Sequence, residues 1–216
     1  MNLDHIIQER IDEHLQVVGL LKNDSKFLTN LSEISNVITE CFKSGGKLLI
    51  CGNGGSAADS QHLATELVSR FFLERKALDA EALTVNTSTL TAVANDYSFD
   101  KVFSRQLEAK GKEGDVLLAI STSGNSKNVI EAIKAAKSIG IKTIGFAGNN
   151  RDSLICKMSD YYVSIPSNST PRIQEAHILL GHIICEIVER YLFEKGGCLI
   201  LPSKTERNHQ LATGRR

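Results

Sequence analysis

KLLICGNGGSAADSQHLATELVSR, residues Lys47 to Arg70, contains in order a short apolar run, a glycine-rich turn and a helical pattern. Lys47 to Cys51 has the length and composition of a buried strand, Gly52 to Gly55 is the turn, and a helix is expected from Ser56 past Arg70. Glycines let the backbone turn sharply and approach a ligand closely, and the first N–H groups of the helix then point at that spot. An anion is the natural occupant. On the helix, His62 and Glu66 are four residues apart and share one face. Each part alone has a plainer meaning. The turn matches neither G-x-G-x-x-G nor the lysine-bearing P-loop, and a His/Glu pair at this spacing is commonly a solvated pair contributing roughly 0.2–0.5 kcal/mol.

The flanking sequence repeats the alternation. Further strands are expected at Glu81–Val85, Asp115–Ile120, Lys142–Phe146 and Tyr161–Ile165, with helices at Thr87–Asn95, Phe99–Lys110, Lys127–Ile139, Ser153–Met158 and Thr170–Phe193. This order predicts an α/β fold with a five-stranded parallel sheet between helical layers, joined by right-handed crossovers. Ligands in such sheets collect at the carboxyl ends of the strands. The glycine turn falls there, and so does Ser121-Thr122-Ser123-Gly124-Asn125-Ser126. One hydroxyl suffices to cap a helix. Four of them in six residues point to a phosphate site that needs no lysine. On the last helix, Gln174 and His182 are eight apart and lie on one face, whereas His177 falls elsewhere around the axis and reads as a structural or interface residue.

Ahead of the α/β unit, Leu3, Ile6, Ile7, Ile11, Leu15, Val18 and Leu21, then Phe27, Leu28, Leu31, Ile34, Val37, Ile38 and Phe42, recur at helical spacing. Residues 1–45 thus form a helical hairpin, either an oligomerisation element or a cover for the sheet. Residues 46–194 form the α/β domain, and 195–216, which open on Gly196-Gly197 and end basic and polar, form a flexible extension in which Cys198–Leu201 is a short strand or an apolar plug.

Composition narrows the partners. Twenty-five basic and 25 acidic residues give zero formal charge, so no field recruits nucleic acid or an anionic membrane, and a small molecule or protein is expected. Five cysteines without C-x-x-C spacing fit a reducing cytoplasm. The charged N-terminal residues are unlike a signal peptide, and no apolar run reaches membrane-spanning length.

CGNGGSAADSQHLATEL (Cys51–Leu67), AVANDYSF (Ala92–Phe99), FSRQLEA (Phe103–Ala109), EGDVLLAISTSGNSKNVIEAI (Glu113–Ile133) and RIQEAHILLGHIICEIVE (Arg172–Glu189) resemble the sugar isomerase (SIS) domain proteins of the phosphoheptose isomerase group. The resemblance runs from the N-terminal helices to about Glu194. It implies a flavodoxin-like sheet, a homotetramer whose sites combine neighbouring subunits, and conversion of sedoheptulose 7-phosphate to glycero-manno-heptose 7-phosphate with no organic cofactor. It also implies Glu66 as catalytic base and His182 as its partner in proton transfer. Ser121, Thr122, Ser123 and Ser126 match phosphate-binding positions; Asn53, Gly54, Gly55, Asn95, Asp96 and Gln174 match sugar-binding ones, and Ser56, Arg70 and Glu66 are counted with the substrate contacts. Some members hold one zinc ion per subunit through the positions matched by His62, Glu66, Gln174 and His182. Two rivals share the fold: a non-catalytic SIS protein that binds the replication initiator DnaA, whose kind lacks the acid at Glu66, and a phosphosugar-sensing module.

Overall fold

The computed structural model describes residues 2–194; the expected extension at 195–216 lies outside the described residues. The chain opens with α1 (Leu3–Asn23) and α2 (Ser25–Lys43), separated by Asp24 alone. Extended backbone at Asp24 breaks the first helix, and its Oδ1 accepts the N–H groups of Lys26 and Phe27 at 2.9 and 3.1 Å, capping the second. The two helices use their apolar residues differently. α2 sends Leu31, Ile34, Ile38 and Cys41 into the core, while α1 buries Val17 and Leu21 but leaves Leu3, Ile7, Ile11 and Leu15 more than half exposed. So α2 covers the sheet, and the outward apolar face belongs to α1.

The sheet consists of β1 (Leu48–Gly52), β2 (Ala80–Ala82), β3 (Val116–Ser121), β4 (Lys142–Ala147) and β5 (Tyr161–Ser164), all parallel, in the order β2-β1-β3-β4-β5. The direction of winding reverses between β1 and β3. Their register sets Gly52 opposite Ile120, which places the glycine turn and the serine loop side by side. Both central strands are buried throughout because their residues feed two cores in alternation. Leu48, Ile50, Val116, Leu118 and Ile120 meet α2, α3 (Gly55–Val68) and α8 (Thr170–Phe193) on one face. Leu49, Cys51, Leu117 and Ala119 meet α5 (Ser104–Lys110), α6 (Lys127–Ile139) and α7 (Leu154–Met158) on the other. α4 (Thr87–Asp96) lies beyond β2 in sequence and packs Leu90 and Val93 against this second core.

Several element ends shift by one residue, and three boundaries differ from expectation by more. The helix expected over 99–110 is split into a 3-10 turn at Phe99–Lys101 and α5, and the consecutive Val102 and Phe103 between them both enter the core. β2 ends at Ala82 rather than Val85; after Leu83, whose N–H still meets the Ile50 carbonyl at 2.8 Å, Thr84 faces α3 and the chain leaves the sheet. α3 stops at Val68, short of Arg70. Both edge strands are short, and at β5 the Asn30 amide donates to the Tyr162 carbonyl at 2.7 Å. Among the described residues, no helix is long and apolar enough to cross a membrane.

Candidate active site

α3 leaves the glycine turn and packs along α8. Contact is close because Gly181 lacks a side chain: a Cβ there would collide with Leu63. This approach sets His62 of α3 against His182 of α8, with their Nε2 atoms 2.8 Å apart and ring centroids 4.9 Å apart. Glu66, one turn further along α3, places Oε1 3.2 Å from His62 Nε2. The ligand atoms of these three residues all lie within 4.8 Å of one another. Two imidazole nitrogens and a carboxylate are the donor set a zinc-like cation prefers, and a tetrahedral ion with bonds of roughly 2.0–2.2 Å is of a size to sit among them. The cluster faces outward, with the His62 side chain 49% and Glu66 23% exposed. Phe71 forms one wall, its ring 5.7 Å from that of His182.

The end of α3 is held by a buried ion pair for which the sequence offers no short-range signal. Arg75 is 1% exposed and Glu189, two turns beyond His182 on α8, is fully buried; Arg75 Nε meets Glu189 Oε1 at 3.0 Å. The Arg75 guanidinium also donates to the carbonyls of Glu66 (2.9 Å), Leu67 (2.6 Å) and Ser69 (3.0 Å) at the helix end, where intrahelical partners run out; the Leu67 carbonyl accepts the Leu78 N–H as well, at 3.2 Å. Glu189 accepts the N–H groups of Phe71, Phe72 and Leu73 at 2.7–3.0 Å. Burial works to raise this carboxyl, but the three N–H groups and Arg75 outweigh it and hold it below its ordinary value. The backbone of Glu66 and the Phe71 wall are thereby tied to the helix that carries His182.

At the glycine turn, Gln174 in the first turns of α8 lies directly over Gly55, where any Cβ would strike its amide. Pro171, near the start of α8, supplies no N–H there, and helices accept it at that position. Ser56 is 3% exposed, tucked behind the turn. Asn53 does not reach toward open space: its amide pairs reciprocally with that of Asn128.

In the serine loop the hydroxyls converge. Ser121 Oγ lies 3.0 Å from Ser126 Oγ and 3.3 Å from Ser123 Oγ. Ser126 occupies the N-cap position of α6 yet makes no side-chain capping bond. The leading N–H groups of a 13-residue helix thus remain directed at the cluster, which is how a helix start receives an anion rather than capping itself.

Other expected residues stand apart. Arg70 is exposed, 4.0 Å from Glu74, and Asn95 and Asp96 at the exposed end of α4 pair with each other at 2.9 Å. None of the three shares a hydrogen bond with the His/Glu cluster or the serine loop among the described residues. His177 is buried, with Nε2 3.2 Å from the Ala147 carbonyl, and burial holds its imidazole down at about 4. Asp59, one turn before His62, is not singled out by spacing. Burial pushes its carboxyl up to about 6 against the opposing influence of His62, and its Oδ2 is buried without a hydrogen-bond partner among the described residues.

The family model for the SIS domain matches residues 20–148. A phosphoheptose isomerase from Clostridium acetobutylicum is 50% identical over 193 residues, covering 88% of this chain and 97% of its own. The chain belongs to the SIS domain family, among the phosphoheptose isomerases. Two solved structures agree. The phosphoheptose isomerase GmhA from Neisseria gonorrhoeae superposes with a TM-score of 0.81 at 39% identity, covering 87% of this chain and 99% of that one. A phosphoheptose isomerase from Francisella tularensis gives 0.83 at 33% identity, covering 88% and 100%.

Proposed function

We propose that the protein is an isomerase that converts D-sedoheptulose 7-phosphate to D-glycero-D-manno-heptose 7-phosphate through an enediol. The observation that carries this reading is the meeting of His182 with Glu66 and His62, the latter two on a helix that starts at the glycine turn next to a serine loop whose helix start lacks a side-chain cap. The phosphate enters the serine loop, taking hydrogen bonds from the hydroxyls of Ser121, Thr122, Ser123 and Ser126 and from the first N–H groups of α6. That anchor, remote from the reacting carbons, orients the sugar along the glycine turn and Gln174. Glu66 removes the proton from the carbon beside the carbonyl and returns it to the former carbonyl carbon, while His182 passes a proton from one oxygen to the other as the double bond shifts.

His62, Glu66 and His182, with Gln174 as a fourth, would hold zinc; when bound, the ion supplies Lewis-acid polarisation of the substrate oxygens. We further propose a homotetramer whose contacts include the outward face of α1, since Leu3, Ile7, Ile11 and Leu15 are too apolar to be left in water without reason. The exposed His/Glu cluster would be closed by a neighbouring subunit. Unpaired thiols at Cys41, Cys51, Cys156 and Cys185 suit a reducing cytoplasm. The heptose would feed nucleotide-activated precursors of lipopolysaccharide or another surface polysaccharide. A DnaA-binding role is not favoured, because Glu66, His62 and His182 are present together.

The test is NMR of purified protein with sedoheptulose 7-phosphate, before and after chelation. Growth of manno-heptose 7-phosphate signals is expected, with loss on chelation and recovery on added zinc. A folded protein that binds the phosphosugar and yields no product would end the isomerase assignment.

A further inference from the structure

Asn53 sits in the turn between β1 and α3, and Asn128 is the second residue of α6, 2% exposed behind the serine loop. Each side-chain NH2 donates to the other's Oδ1, both at 2.8 Å. Two hydrogen bonds closing one ring fix both amide planes and their separation. Beyond the β1–β3 ladder, no other hydrogen bond joins the glycine turn to the segment 121–128 among the described residues. The pair spans the point where the sheet reverses its winding, between the loop that would take the phosphate and the turn that leads into α3 and Glu66.

We infer that Asn128 is a positioning residue for the isomerisation, and that the Asn53 side chain works through it rather than as a ligand of the sugar. The inference rests on the isomerase reading. One substrate is gripped at its phosphate by the start of α6 and is attacked at its other end by a residue of α3. The two elements stand on neighbouring strands, and each loop could relax without the other. The amide ring removes that freedom, so the distance from anchored phosphate to Glu66 is set by Asn128 even though Asn128 is screened from substrate. Each amide keeps one N–H and one lone pair outside the ring, so direct contact and positioning must be separated by experiment.

A double-mutant cycle of N53A, N128A and the double variant does so, reading kcat and KM for sedoheptulose 7-phosphate together with inhibition by inorganic phosphate. Both single variants are expected to lose roughly 10- to 100-fold in kcat, the scale of a small misplacement of reacting groups. The double variant should be no worse than the poorer single one. Inhibition by inorganic phosphate, which needs only the serine loop, should change by less than about threefold by the same reasoning. A loss from N53A far larger than from N128A, persisting in the double variant, would show Asn53 meeting the sugar itself; wild-type kcat in N128A would show the ring to be idle. Either overturns the inference.

Should N128A not fold, N128D replaces it. When protonated, the carboxyl introduced by N128D donates its O–H to Asn53 and accepts from it, rebuilding both bonds, while the ionised form keeps one. The activity of this variant relative to wild type should rise as pH falls, and a constant ratio overturns the inference. If the wild type itself forms no product, the isomerase reading fails instead; the same cycle is then read by calorimetric affinity for sedoheptulose 7-phosphate, where additive losses overturn the pairing.

Discussion

Glu66 and His177 show how placement decides the role of an ionisable side chain. Glu66 faces the open cluster, and E66Q keeps its shape while removing its basicity. The variant should fold and bind sugar phosphate yet turn over several orders of magnitude more slowly; near-normal turnover would remove Glu66 as the base. His177, five residues before His182 on the same helix, points into the core instead. Burial depresses its imidazole to about 4, so between there and the unfolded value near 6.5 the unfolded chain binds the extra proton. Stability from this group is therefore complete above about pH 6.5 and is lost as pH falls toward 4. Denaturant midpoints at pH 7 and pH 5 should differ more in the wild type than in H177Q, and equal differences would show the imidazole to be neutral in this respect. The sequence distinguishes the two histidines of α8 by angle around the helix, which is why His177 can be set aside. It cannot show Asn53 turned to Asn128, because 75 residues separate them and only the β1–β3 register brings them together.

At the scale of elements, the ion pair between Arg75 and Glu189 holds α3, the 71–73 segment and α8 together. E189Q leaves a buried guanidinium without its countercharge, a change that typically costs about 3–5 kcal/mol. E186Q, whose partner Arg190 lies in solvent, should cost less than about 1 kcal/mol. Comparable losses in the two variants, measured by urea unfolding, would show that the buried pair has no special part. Most elements are legible because periods of two and 3.6 residues alternate cleanly along the chain. The exceptions have tertiary causes. Apolar spacing runs on through 99–110, yet seating both Val102 and Phe103 in the core requires a tighter turn first, and α3 ends early because Arg75, from beyond the helix, takes its last carbonyls. The serine loop is legible as to its place and composition. That Ser126 withholds its cap is not, since sequence records a hydroxyl but not the direction it faces.

For the whole molecule, the outward face of α1 is the test of assembly. Ile11 is 55% exposed, so I11D should disturb a single subunit by no more than about 0.5 kcal/mol. It should nevertheless reduce the sedimentation coefficient and, with it, activity if neighbouring subunits close the His/Glu cluster. An unchanged coefficient would take α1 out of the contact. The two ends of the sheet, by contrast, are poor places for association. β2 offers three residues and β5 four, and Asn30 already occupies the Tyr162 carbonyl. Stacking of strands into cross-β fibrils draws on runs of about six or seven residues with free N–H and C=O groups. Neither rim presents such a template, so among the described residues the sheet itself guards the folded protein against amyloid-like growth in concentrated solution.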